Sequence, residues 1–128
     1  MDERKRFDAG MEVRRAVHGD AYVDRSVAGQ NAFNAEFLDL LTRYAWGEIW
    51  TRPGLDRRTR SLLCLATMVA LNRADEFRLH LRSALNNGVT RDEIKEVLLQ
   101  AAVYCGVPAA NSAFHLAALT FAEIDGER

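Results

Sequence analysis

RADEFRLHLRSALNNG, residues 73 to 88, is the stretch on which the fold turns. Phe77, Leu81, Ala84 and Leu85 recur at steps of three and four, the period of a helix with one apolar stripe. Asn87 and Gly88 close the segment, glycine supplying the left-handed residue at which helices commonly stop. The polar side carries Arg73, Glu76 and His80, again three and four apart, so that a carboxylate and an imidazole share one small volume. That spacing suits a proton-transfer pair. It equally suits an exposed ion pair worth a few tenths of a kcal/mol, roughly.

Working outward, the same period continues on both sides. Thr90 and Glu93 form a capping-box pattern that opens a helix with Ile94, Val97, Leu98, Ala101 and Cys105 on its apolar face. Gly106 and Pro108 separate it from a last helix carrying Ala110, Phe114, Leu116, Ala117 and Phe121. Upstream, Asp56 is placed to cap a helix from about Arg57 to Leu71, after the Pro53-Gly54 break. The part SLLCLATMVALN is apolar nearly all the way round and calls for neighbours on every side. Phe33, Phe37, Leu41 and Tyr44 mark a further amphipathic helix. Residues 3 to 30 hold weaker helical segments, broken near Gly10 and at His18, Gly19 and Asp20. No strand alternation, internal repeat or linker interrupts this pattern. The expectation is an all-α, single-domain helical bundle of about six to seven helices spanning residues 1–128.

Composition narrows the function. With 48% hydrophobic and 27% charged residues and a net charge of −1, the chain reads as a soluble globular protein with no general attraction to nucleic acid or an anionic membrane. A helix-turn-helix over residues 74 to 104 lacks a basic recognition face, since its second helix carries Asp92, Glu93 and Glu96. The longest apolar run, Leu62 to Leu71, is about half a membrane span. MDERKRF has no signal-peptide core, and Cys64 and Cys105 form no CxxC or metal-ligand spacing. We therefore expect a cytoplasmic protein with no metal, no nucleic acid and no membrane partner. His18 and His115 are isolated and read as surface or cap residues.

A second constellation is WGEIWTRPGLDRRTR, residues 46 to 60, which gathers Trp46, Trp50, Arg52, Arg57, Arg58 and Arg60 around the Pro-Gly turn. Guanidinium forks clamp carboxylates and indoles exclude water, so the segment suits a small anionic ligand. By composition it is also an ordinary charged loop anchored by two tryptophans.

The phrases DAGMEVRRAV, VHGDAYVDRS, YAWGEIWTRPGLDRRTRSLL and EFRLHLRSALNNGVTRDEIKEVLLQAAVYCGVPAA together resemble the carboxymuconolactone decarboxylase family, over roughly residues 6 to 123. The narrower likeness is to its branch that acts on 4-carboxymuconolactone in protocatechuate breakdown. Two departures are His18 within VHGDAYVDR and the approach NRADEF. The wider superfamily includes alkylhydroperoxidase D-like proteins, with a relay glutamate and a CxxCxxxH helix. Aligned on His80, their cysteines fall at Arg73 and Glu76 and the relay glutamate at Ser61, which removes peroxidase and disulfide reductase chemistry.

The resemblance implies an alkylhydroperoxidase D-like bundle that decarboxylates a small dianionic lactone to the β-ketoadipate enol lactone. It implies no cofactor, because the conjugated lactone is its own electron sink. It further implies a homo-oligomer, trimer or hexamer. On this reading His80 and Glu76 are catalytic: His80 donates the proton while Glu76 orients it and holds it protonated, or the two exchange as oxyanion donor and acid. Arg52, Arg60 and Arg73 anchor the carboxylates, and Trp46 and Trp50 supply an apolar wall. The alternatives are a related enzyme acting on another lactone or keto acid, and a non-catalytic helical oligomer that binds a small acid.

Overall fold

A computed structural model describes residues 2–127. The elements in chain order are α1 (Glu3–His18), α2 (Asp20–Ala28), α3 (Ala35–Leu41), a π-helical segment (Thr42–Ile49), α4 (Arg57–Ala70), α5 (Ala74–Asn86), α6 (Arg91–Tyr104) and α7 (Val107–Gly126). The described residues contain no strand, so the all-α reading holds. The chain divides into two compact units between residues 57 and 58.

In the first unit, Asp2 caps α1 by accepting from the Lys5 amide at 2.8 Å. The helix buries Gly10, Val13, Arg14 and Val17 and ends at Gly19, whose φ of 88° lets the chain turn directly into α2. The break at Gly19 is where the sequence places it. The break expected near Gly10 is absent, because this glycine serves packing. A Cβ there would stand 2.2 Å from the Thr42 carbonyl oxygen and 2.8 Å from the Gly47 nitrogen. Gly47 is equally close to α1, its own Cβ falling 2.4 Å from the Arg6 carbonyl oxygen. Two backbones thus cross where neither could carry a side chain.

The helix expected over Phe33 to Tyr44 is rebuilt. It becomes α-helical at Ala35 and from Thr42 winds with the wider i→i+5 bonding, the Trp50 amide reaching the Ala45 carbonyl at 3.0 Å. The register shift turns Trp46 inward onto Val13 and Val17. Phe33, in the turn before α3, Phe37 and Tyr44 are exposed, where amphipathic spacing placed them on a buried face.

In the second unit, α4 to α7 share one core built on Leu65, Val69, Phe77, Leu81, Ala84, Ile94, Leu98, Ala101, Ala113 and Ala117. The apolar stripes of α5 and α6 are those the sequence marks, and the Thr90/Glu93 capping box forms in both directions, at 3.0 and 3.1 Å. Gly88, at φ 90°, ends the α5 turn. The last helix starts earlier than expected. Pro108 lies in its first turn, where a missing N–H costs nothing, so the proline opens the helix it was expected to precede. Its buried stripe is of small residues, Ala110, Ala113, Ala117 and Thr120. Arg78 and Arg82 of α5 pair with Glu123 of α7, at 2.5 and 3.3 Å. One side of α4 stays open within the chain, with Leu63 and Leu71 exposed although the sequence calls for cover all round.

Candidate functional site

The candidate residues fall in both units, and each unit is taken by itself. In the second, the tight turn at Asn72, with φ 56°, delivers Arg73 to the N-cap of α5. Arg73 is exposed and borders a cleft of about 20 Å³ with Asn72, Phe77 and Ser112, too small for a ring substrate. Glu76 follows in the first turn, exposed to solvent, where the partial positive charge of a helix N-terminus stabilises an acidic side chain.

His80 stands one turn further on and is half-buried. Burial pushes the imidazole pKa below its usual 6.5, and the nearby Glu76 carboxylate opposes the shift without reversing it. The neutral ring is therefore the resting form at pH 7. In the unliganded chain burial thus acts against the protonation of the ring that the sequence reading assigns to Glu76. A neutral imidazole still carries one N–H, which suits it to donate a hydrogen bond to a developing oxyanion.

Two further groups bear on the chemistry. Ser61, the counterpart of the relay glutamate, is buried and accepts a 3.1 Å hydrogen bond from Asn87 Nδ2, which ties α4 to the end of α5. Arg60 lies half-buried one turn before Cys64 on α4. Burial pushes the Cys64 thiol up, with Arg60 pulling the other way, so the sulfur stays protonated at neutral pH and is a poor nucleophile. Arg58 is committed to an ion pair with Glu93.

In the first unit, Trp50 and Arg52 border an open cleft of about 630 Å³ together with Glu12, Thr51, Leu55 and Arg57. Trp46 does not reach that surface. It is 5% exposed and forms the wall behind Trp50, their ring centroids 4.9 Å apart. His18, expected to be an isolated surface or cap residue, stands edge-on to Trp46 at 4.9 Å and to Tyr22 at 5.1 Å. The sequence reading also passes over Arg14, which is 4% exposed. Its signal was present, since Gly10, Val13, Arg14 and Val17 follow a helical stripe. Among the described residues no three His, Cys, Asp or Glu side chains cluster as metal ligands. No described helix is long and apolar enough to cross a membrane.

Residues 35–119 match the carboxymuconolactone decarboxylase family. The chain is 48% identical over 124 residues to a 4-carboxymuconolactone decarboxylase of Acinetobacter baylyi, covering 97% of this chain and 92% of that one. It is 47% identical over 105 residues to a nitrosuccinic acid decarboxylase of Metarhizium robertsii, covering 82% of this chain and 73% of the other. A 48-residue 4-carboxymuconolactone decarboxylase sequence from Pseudomonas putida is matched over its whole length, at 58% identity and 38% of this chain. With both units spanned by such likeness, the chain belongs to the carboxymuconolactone decarboxylase family.

Proposed function

We propose that this protein decarboxylates 4-carboxymuconolactone to the β-ketoadipate enol lactone in protocatechuate catabolism. The observation that carries the reading is the 48% identity to the Acinetobacter baylyi enzyme along nearly all of both chains. Residues 1–128 act as one functional domain, a cytoplasmic one.

The chemistry asks little of a cofactor. The bond between the ring carbon and its carboxylate breaks, CO2 leaves, and the electron pair passes through the conjugated C=C onto the lactone carbonyl, giving an oxyfuran-like dienolate. A proton then adds at the carbon α to that carbonyl. His80 donates its N–H to the developing oxyanion, a contribution of about 2.7–4 kcal/mol for one well-aimed donor. Glu76, exposed on the same face, relays the added proton from solvent water to the carbon. Arg60 and Arg73 are the carboxylate anchors proposed in the second unit; in the first, taken by itself, Arg52 beside Trp50 is a further one. Trp46 holds Trp50 in place.

The protein works as a homo-oligomer, a trimer or hexamer. Exposed apolar side chains support that reading: Phe33 and Phe37 in the first unit, and Leu63, Val103 and Tyr104 in the second.

The similarity to the nitrosuccinic acid decarboxylase favours a second reading, a substrate in which a nitro group replaces the lactone as electron sink. Loss of CO2 beside a nitro group leaves a nitronate, which needs the same oxyanion donor and the same proton. Offering 4-carboxymuconolactone and nitrosuccinate separately and following CO2 release tests both. Turnover of the lactone alone supports the first reading, turnover of nitrosuccinate alone the second, and turnover of neither removes both.

A further inference from the structure

We propose that the first unit holds a binding site for a short-chain monocarboxylate, whose carboxylate is clamped by Arg14 in a partly open pocket. The cavity measures about 110 Å³ and is bordered by Phe7, Met11, Arg14, Ser26, Leu38 and Thr42. One water needs roughly 10–15 Å³ by this kind of measure, so a small organic acid fits.

The guanidinium is the reason to look for an anion. Arg14 is 4% exposed, and arginine keeps its charge in proteins, so burial leaves a cation that requires compensation. Its side-chain hydrogen bond runs from Nη2 to the Ser26 hydroxyl oxygen at 2.8 Å. No carboxylate among the described residues pairs with it. Burial pulls its pKa down, Tyr22 opposes that shift, and the neighbouring Arg15 adds to it. A hydroxyl meets one of the five donors of a guanidinium fork, whereas a carboxylate meets two at once and brings the opposite charge.

Two other polar groups at the cavity are already engaged. Asp39, the one carboxylate on its border, accepts from Arg43 Nε at 2.8 Å, and the Thr42 hydroxyl donates to the Leu38 carbonyl at 2.8 Å. Arg15 outside it is held by Asp20 and Asp24. Phe7, Met11 and Leu38 provide the apolar surface for a tail of one to three carbons. The ligand class is therefore a small acid such as acetate or propionate. The dianionic lactone is larger than the cavity.

Thermal unfolding of the full chain in sodium acetate, against sodium chloride at equal ionic strength, tests the site. Acetate should raise Tm with the logarithm of its concentration once above its Kd, by about 5 °C at tenfold excess, and chloride should not. The Arg14→Met variant should lose the effect. An acetate response no greater than that of chloride, or one unchanged in Arg14→Met, overturns the proposal. Should Arg14→Met fail to fold, the 15N-detected Nε–H signal of Arg14 in the unaltered protein decides: it should move saturably with acetate, and an unmoved signal overturns the site. A Tm that rises with protein concentration and ignores acetate would assign the cavity to a carboxylate of a second copy, and likewise overturns it.

Discussion

His80 lies one helical turn beyond Glu76 on α5, half-buried where Glu76 is exposed, and burial outweighs the pull of that carboxylate on the imidazole. The pair is therefore unequal. The ring rests neutral at pH 7 and the carboxylate faces solvent.

This inequality sets the pH profile. kcat/KM reports the free enzyme, so it should stay level from pH 8 to about 6.5 and fall only at lower pH, as the neutral imidazole is lost. A steady-state series between pH 5 and 8 measures it. A kcat/KM that climbs on the acid side would mean that the protonated ring is the working form.

Stability should follow the same group. The folded pKa of His80 lies below 6.5, so under acidification the unfolded chain takes up the proton first. The contribution of the neutral ring is present above pH 6.5 and is lost as pH falls through the folded pKa. Urea unfolding between pH 5 and 7.5 should show a shallower loss for His80→Asn than for the unaltered protein. Parallel curves would mean that His80 does not contribute.

The α1 crossing makes a sharper structural prediction. Gly10→Ala and Gly47→Ala force a methyl group into backbone atoms 2.2–2.4 Å away and should each cost about 1–3 kcal/mol or more in chemical unfolding. Gly54→Ala, with nothing within 4 Å, is the control and should fall within about 0.5 kcal/mol of the parent. Equal stability of all three variants would contradict the close crossing.

Legibility from sequence varied with the physical rule in force. The helices α5 and α6 could be read because stripe, cap and stop signals agree: Phe77, Leu81 and Ala84 are buried, and Thr90 with Glu93 closes the capping box. Gly10 was misread because a glycine that breaks a helix and one that admits another backbone look alike in one dimension. The π-helical segment is not legible because the change to i→i+5 bonding alters the period from Thr42 onward, a change that no residue type in the segment marks. At the site, spacing revealed that Glu76 and His80 share a face. It could not reveal which was buried, and burial is what lowers the pKa of His80.

Binding and turnover should separate by residue. Arg52→Ala should raise KM several-fold with little change in kcat, as expected for a group that holds a carboxylate equally in ground and transition states. Steady-state kinetics over a range of substrate concentrations checks it. An unchanged KM would remove Arg52 from substrate binding.

The most direct measurement is CO2 release from enzymatically generated 4-carboxymuconolactone by the unaltered protein and by His80→Gln, with folding of the variant verified by circular dichroism. The expected result is turnover by the first and a loss of about 10²- to 10³-fold in kcat for the second. No turnover by the unaltered protein, or near-equal turnover by the two, would contradict a decarboxylase that works through His80.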